Sequence, residues 1–406
     1  PIEWKVEEQY RKKKLDKDEV PRAEFRAECR AYAQKWVDTQ REQLKRLGIL
    51  GDWDNPYLTM DYDSEATIVA ELMKFAEAGN LYRGSKPVMW SPVEKTALAE
   101  AEVEYEDITS TQIDVAFEIV ESPIPELIGA HAVIWTTTPW TIPVNQALAY
   151  GPDIEYKLVE ETIVPLGDAD DAAIAKTGRK FLIASELIHD FGDREGWFAN
   201  NSDETDYGYM SVWIGKGSDL AGTKVRHPIY DLLKSRHSRE CGKPASSDGA
   251  NDEGQLDPRL RGGDEEWEKA LAFYEKLRPM LAGDFVTTDS GTGLVHMSPD
   301  HGEDDFYLCR ENGIDPVFAV DDGGVYRDDW PWLGGDDVDS EGKGRRRAVI
   351  NPNFNAPDGP ICSDLRKAGA LLSASADYKH SYPHSWRSKA KIIYRCTPDR
   401  KSTRLN

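Results

Sequence analysis

The chain reads HAVIWTTTPWTIPVN from His131 to Asn145, and the fold that we expect is arranged around these residues. The first five of them, His131 to Trp135, form an apolar run that predicts a buried strand. Three threonines follow, and Pro139 then stops the strand, because proline has no backbone N–H and keeps the residue before it out of the α region. We therefore expect Thr136 to Thr138 to stay extended and then turn. Such a turn leaves hydroxyl and backbone groups at a strand end, where ligands often bind.

The threonine triplet also has a simpler interpretation. Threonine favours β-strands in many settings, so the stretch can be an edge strand without any binding role. Two tryptophans, two prolines and an asparagine at fixed positions around the triplet favour a binding loop instead. These are Trp135, Pro139, Trp140, Pro143 and Asn145.

A second stretch has the same form, since GTGLVHMSP at residues 291–299 is typical of a strand that enters a loop. The sequence HGEDDF follows at residues 301–306 and indicates the start of a helix. Taken singly, Asp304 and Asp305 suit the dipole of a first helical turn, and His296 fits a packed position on an apolar strand. Taken together with the threonine loop, the histidine and the aspartates predict a site shared by two loops.

The frame WTTTPWT…N, combined with GTGLVH…HGEDD, resembles the editing domain of the isoleucyl-tRNA synthetases, which are class I enzymes. The valyl and leucyl relatives typically carry an arginine in this loop, as TTRP, where the present chain has Thr138-Pro139. The resemblance implies an α/β fold, with a β-rich, barrel-like editing domain inserted into a truncated Rossmann-like nucleotide-binding domain.

The resemblance also implies a domain scheme. Residues 1–107 would be the first half of the Rossmann-like catalytic domain, 108–378 the editing domain, 379–399 the return to the catalytic domain, and 400–406 a tail that does not match. The HIGH-type and KMSKS-type motifs of the family are absent, so we expect an internal fragment that does not aminoacylate by itself. Residues 235–264 are polar, glycine-rich and aperiodic, which predicts a disordered insertion.

Periodicity predicts the main elements. Apolar residues at helical spacing predict a helix from Pro21 to Gly48, a second helix capped by Ser64 and ended by Gly79, and a third over residues 265–281. Alternation over residues 113–119 predicts a half-buried strand. Further short strands are expected near residues 154–158, 180–184 and 212–215.

The composition narrows the classes of function. With 73 acidic and 50 basic residues, the net charge of −23 disfavours a general polyanion binder, although a local basic face can still meet tRNA. The five cysteines form no CxxC pair, which disfavours a disulfide framework and a zinc ribbon. We find no signal peptide and no apolar run long enough to span a bilayer, so we expect a cytoplasmic protein with no membrane partner. Separately, we expect the protein to be a monomer.

No metal or other cofactor is expected in this segment, whereas the parent enzymes of the family use ATP and Mg. Many relatives carry two cysteine pairs where this chain has Ser91 and Glu94, and Ser385 and Ser388. Such pairs would bind structural zinc, but serine hydroxyls are poor zinc ligands. We therefore predict no zinc at this junction.

The resemblance implies a hydrolase that removes misattached valine from tRNA, in an enzyme that joins isoleucine to its tRNA. One methylene group discriminates by only about 1–3 kcal/mol in an apolar pocket, for which isoleucine selection by this family is the usual example. Asp305 would bind the α-ammonium group and His296 would set the size of the pocket. The residues that would frame the aminoacyl group and the terminal adenosine are Thr136, Thr137, Thr138, Trp140 and Asn145.

Catalysis would fall to Asp305, Thr137 and Thr138, with donors of the threonine loop stabilising the oxyanion of ester hydrolysis. No GxSxG motif occurs, so we expect direct attack by water. Two alternatives stay open. One is a metal-dependent hydrolase that uses His296, His301, Asp304 and Asp305, and the other is an inactive tRNA-binding fragment.

Overall fold

The computed structural model describes residues 2–165, 175–197, 205–234, 264–327 and 348–402. The backbone divides into two units, one of Pro1–Gly84 with Pro398–Asn406 and one of Ser85–Thr397. The insertion expected at residues 235–264 lies outside the described residues except for Asp264. Within the described ranges, no helix combines the length and the apolar composition needed to cross a membrane.

The described part of the smaller unit contains three α-helices, α1 (Ile2–Lys12), α2 (Arg22–Arg46) and α3 (Tyr62–Glu77). The helix expected from Pro21 to Gly48 is confirmed as α2, and Gly48 follows it with φ 74°. The second helix is also confirmed, but Ser64 does not cap it. Asp61 occupies the N-cap position, and the backbone N–H of Glu65 already donates to its carbonyl at 2.9 Å, so Ser64 lies inside the helix.

The larger unit is built on a ten-stranded sheet, and the structure confirms a mixed α/β architecture with large β-sheets. The strands run in the order β11-β5-β10-β9-β3-β4-β7-β6-β8, and β12 pairs with β3. A smaller sheet has the order β13-β1-β2. The strands are β1 (Leu81–Ser91), β2 (Thr96–Ala97), β3 (Val103–Glu121), β4 (His131–Thr136), β5 (Ala147–Tyr150), β6 (Glu155–Pro165), β7 (Ala175–Ala184), β8 (Thr205–Lys216), β9 (Lys224–Val225), β10 (Arg278–Ala282), β11 (Leu294–Met297), β12 (Leu371–Ser385) and β13 (Ile393–Ser402).

Residues 230–234 of the larger unit are helical, and five further helices have both ends among its described residues. They are α4 (Ile188–Glu195), α5 (Asp264–Glu275), α6 (Glu303–Glu311), α7 (Pro352–Asn355) and α8 (Pro360–Lys367). The helix expected over residues 265–281 is therefore too long, because it ends at Glu275 and Arg278 begins strand β10. Pro279 disfavours helical backbone at the residue before it, and β10 gains parallel pairing with β5 instead.

The predicted strands near residues 113–119, 154–158, 180–184 and 212–215 are confirmed as parts of β3, β6, β7 and β8. Ile113, Val115, Phe117 and Ile119 of β3 are fully buried, as their alternation predicts. Asp114 is also fully buried. The face of β3 that carries Asp114 is therefore also buried. At this position the strand is buried on both faces, whereas the sequence predicted a half-buried strand.

Candidate functional site

The threonine loop has the expected conformation. Strand β4 ends at Thr136, and a 3-10 turn begins at Pro139 and runs to Val144. The backbone N–H of Thr138 donates to the Thr136 hydroxyl at 3.1 Å, and the two hydroxyls are also 3.1 Å apart. The hydroxyl oxygen of Thr138 lies 3.3 Å from that of Thr141, so three hydroxyls form one chain across the turn.

This chain ends on a histidine from the second predicted loop. His296, on β11, places Nε2 2.8 Å from the Thr141 hydroxyl. The Thr141 hydroxyl also lies 2.8 Å from the carbonyl of Thr138, so this one hydroxyl links the turn to the imidazole. Burial lowers the pKa of His296 to about 4, which keeps the ring neutral at pH 7.

The 3-10 turn is fixed by side chains from distant parts of the sequence. Three of its carbonyl groups, and that of Asn145 directly after it, each accept a hydrogen bond from a buried side chain. The pairs are Trp140 with Tyr326, Ile142 with His227, Pro143 with Tyr274, and Asn145 with Arg278. These four donors had no predicted role. Each lies 85 or more residues from the carbonyl group to which it donates, so its local sequence gives no sign of the hydrogen bond.

Asn145 closes the turn from inside the protein. Its side chain is fully buried, and the amide nitrogen donates to the carbonyl of Ala147 at 2.8 Å. The backbone N–H of Gln146 donates to the carbonyl of Met297 at 2.9 Å. Because Ala147 begins β5 and His296 pairs with Leu148 in that strand, this closure holds the two predicted loops side by side.

Asp305 lies in the first turn of α6, where Ser298 approaches it. The backbone N–H of Ser298 donates to Oδ2 at 2.7 Å, which ties the carboxylate to the loop that follows β11. Burial raises the pKa of Asp305 to about 7, and the hydrogen bond from Ser298 opposes the rise. A Cβ atom on Gly302 would lie 2.6 Å from the Asp305 carboxylate, so glycine leaves room for it. Asp304, in contrast, is exposed.

A cleft of about 250 Å³ opens beside the threonine loop. Thr137, Thr138 and Trp140 line one side, and residues of β3, α7, β12 and the segment before β13 line the others. His296 and Asp305 do not line this cleft. Thr136 and Thr138 are therefore connected to His296 through the hydroxyl of Thr141. Asp305 lies beside the loop that follows β11. Thr137 and Trp140 line the cleft.

His301, a member of the alternative metal site, packs against Trp140 with ring centroids 4.5 Å apart. Its Nδ1 donates to the carbonyl of Tyr394 at 2.8 Å. Across the described part of the chain, no group of three or more histidine, cysteine or acidic residues is arranged to hold a metal ion. Among the residues that the structure describes, His296, His301, Asp304 and Asp305 are therefore not gathered into such a group.

The junction at which zinc was considered is occupied by hydrogen bonds between side chains. Ser91, Glu94 and Ser385 are all buried. The hydroxyls of Ser91 and Ser385 donate to the two oxygens of the Glu94 carboxylate, the second at 2.8 Å. These groups satisfy one another, which is the state expected of a buried carboxylate among hydroxyls.

Comparisons with known proteins agree with the sequence motifs. A family model described as tRNA synthetases class I (I, L, M and V) matches residues 1–398. The chain is 52% identical over 399 residues to the isoleucine–tRNA ligase of Zymomonas mobilis, and 44% identical over 410 residues to that of Gluconobacter oxydans. Each match covers 98% of this chain and 35% of the relative, so the chain spans about a third of the length of these relatives.

One solved structure, titled "The crystal structure of GlLeuRS-CP1", is similar to 52% of this chain and covers 71% of its own. The sequence identity is 14% and the TM-score is 0.28, values at which the likeness supports no argument.

Proposed function

The chain belongs to the class I tRNA synthetases, and from this premise we propose that its larger unit hydrolyses valine misattached to the isoleucine tRNA. The isoleucine–tRNA ligases that it resembles select isoleucine, from which valine differs by one methylene group. A binding pocket alone separates two such side chains by only about 1–3 kcal/mol, for which this family is the usual example. A second, hydrolytic site that admits only the smaller side chain would raise the fidelity.

One observation carries the proposal. The hydrogen bond between Thr141 and His296, 2.8 Å long, joins two motifs that are 155 residues apart in sequence. Both motifs stand at strand ends, and each contributes polar groups to the same small region. The three hydroxyls in series stand beside an open cleft, and hydroxyl donors of this kind suit the oxyanion of ester hydrolysis.

The chemistry follows from the groups present. Water adds to the ester carbonyl, the oxyanion collapses, and the ribose oxygen leaves with a proton, giving free valine and uncharged tRNA. The hydroxyl groups of Thr137 and Thr138, which line the cleft, would stabilise the oxyanion. Asp305 would bind the α-ammonium group, whose positive charge would favour the ionised carboxylate and offset the effect of burial on its pKa.

His296 would limit the size of the accepted side chain. The ring is buried, neutral and outside the lining of the cleft, so it would act by fixing the threonine loop through Thr141 rather than as a charged group. Trp140 and Asn145 would complete the frame, with Asn145 acting from inside through the backbone of the turn.

The proposed domain scheme keeps the predicted bounds. Residues 108–378 would form the editing domain, and residues 1–107 and 379–399 would belong to a Rossmann-like catalytic domain into which it is inserted. The partners would be tRNA and an amino acid, with ATP and Mg used only by the complete enzyme, which we expect to be cytoplasmic and monomeric.

The test is deacylation of valyl-tRNA and isoleucyl-tRNA, both carrying the isoleucine anticodon. Asp305→Ala should reduce valyl-tRNA hydrolysis about 100-fold or more, because a reacting carbonyl misplaced by about 1 Å loses that much rate. Asp304→Ala is the matched control, since Asp304 is exposed and adjacent. His296→Ala should instead admit isoleucyl-tRNA as a substrate.

The assay is run on this chain and on a complete isoleucine–tRNA ligase that carries the same segment. Hydrolysis at the parent rate by a folded Asp305→Ala variant would show that the site is wrongly assigned. No hydrolysis in either setting would favour the inactive tRNA-binding fragment.

A further inference from the structure

The cleft beside the threonine loop has an unusual charge for this protein. The chain carries a net charge of −23, yet no carboxylate is among the described residues that line the cleft. Of the lining residues that the structure describes, Lys391 is the one cation, and most of the other polar groups are hydroxyls and amides. This described lining favours an anionic ligand, because none of these residues carries a negative charge that would repel it.

Lys391 is held in place from several directions. Its backbone forms an antiparallel bridge with His384, and its Nζ lies 5.5 Å from the centroid of the Tyr382 ring. The Tyr382 hydroxyl donates to the carbonyl of Ile392 at 3.1 Å, which fixes that ring. The lysine is half-buried, and burial lowers its pKa.

The ammonium group of Lys391 has no ion-pair partner among the described residues. Lys389, two positions earlier, forms an ion pair with Glu104 on β3. Lys389 is therefore an exposed cation paired with a carboxylate. Lys391, in contrast, lines the cleft as a partly desolvated cation. Partly buried cations without a carboxylate are commonly the binding groups for phosphate.

A second group in the cleft suits the remainder of a nucleotide. Asn355 lines the cleft and donates through Nδ2 to the carbonyl of Val349 at 2.7 Å. Its side-chain oxygen is buried and has no hydrogen-bond partner among the described residues. Because this oxygen is buried, a sugar hydroxyl in the cleft would reach it once the Asn355 side chain turns towards the cleft.

We propose that Lys391 is a phosphate-binding residue, which holds the phosphate of a nucleotide unit in the cleft while Asn355 accepts a hydrogen bond from its sugar. The proposal rests on the proposed function, since the nucleotide would be part of the polynucleotide whose ester is hydrolysed. It adds a positioning residue from the segment 379–399, which the sequence assigns to the catalytic domain.

The experiment measures binding of adenosine 5′-monophosphate, adenosine and inorganic phosphate to the full chain by isothermal titration. The monophosphate should bind the unaltered chain about tenfold or more tightly than adenosine, the gain expected of a charge-assisted hydrogen bond. Lys391→Met should remove this advantage, and Lys391→Arg should restore most of it. Lys389→Met is the matched control and should change the affinity less than twofold.

Salt provides a measurement that needs no variant. Raising the ionic strength should weaken binding of the monophosphate and leave adenosine unchanged, because only the former depends on a charge. Equal affinities for both ligands, an advantage that survives in Lys391→Met, or an absence of binding by all three ligands would each overturn the proposal.

The outcome is separate from that of the deacylation assay. Binding that depends on Lys391 in a chain without deacylase activity would leave the phosphate site standing and remove only the hydrolytic function. Deacylation with no contribution from Lys391 to monophosphate binding would do the opposite.

Discussion

A buried ion pair behind the site gives a prediction whose magnitude follows from the structure. Asp114 is fully buried on β3, and its two carboxylate oxygens accept from Arg194 of α4 at 2.7 and 2.8 Å. Ser373 of β12 donates to the same carboxylate at 2.6 Å. Arg194 also donates to the carbonyl of Gly291 at 3.1 Å, so the pair supports the loop that leads to His296.

The two partners differ in their access to water, and this sets the expected asymmetry. The side chain of Arg194 is 19% exposed and that of Asp114 is 0% exposed. Arg194→Met leaves a carboxylate with no route to solvent and should lower the free energy of unfolding by about 3–5 kcal/mol. Asp114→Asn leaves a guanidinium that can turn outward, and should lower it by about 1–3 kcal/mol.

Equilibrium unfolding in urea, followed by tryptophan fluorescence, measures both changes and the double variant. The double variant should lose less than the sum of the single losses, because neither side chain is then left buried with an unpaired charge. Lys224→Met is the control, since its ion pair with Glu121 is exposed on both sides and should contribute under about 1 kcal/mol. A smaller loss for Arg194→Met than for Asp114→Asn, or strict additivity, would refute the reasoning.

Three further predictions concern the site and its supports. Burial depresses the folded-state pKa of His296 to about 4, so its contribution to stability is present above pH 6.5 and is lost as the pH falls towards 4. His296→Asn should therefore reduce the slope of the free energy of unfolding against pH in that window by up to about 1.4 kcal/mol per pH unit. An unchanged slope would contradict this. Gly293→Ala should lower the thermal unfolding temperature more than Gly129→Ala. Both glycines have positive φ, but only at Gly293 would the new Cβ meet the Ala184 side chain, at 2.3 Å. Equal decreases in the two variants would mean that this contact is not the cause. Metal analysis of the purified chain should find no stoichiometric zinc at the junction around Glu94, where two serine hydroxyls already bond the carboxylate, and a full equivalent of zinc there would show that argument to be wrong.

The sequence predicted the elements whose cause is local. The helix α2 and strands β3 and β4 follow from periodicity, and the turn after Thr138 follows from Pro139, because these depend on neighbouring residues. The family followed from two long motifs, and the family model confirms it. The error at residues 265–281 arose where local pattern and tertiary pairing conflict: apolar residues there fit a helix, but β10 finds a partner strand in β5.

The site shows the same division. Sequence alone selected His296, Asp305 and the threonine loop, because unusual residue types stood together at strand ends. It did not show that Thr141 bonds His296, nor that Lys391 faces the cleft beside Thr137. Those relations depend on contacts between residues more than 150 positions apart, and only the packing of the folded sheet brings such residues within hydrogen-bonding distance.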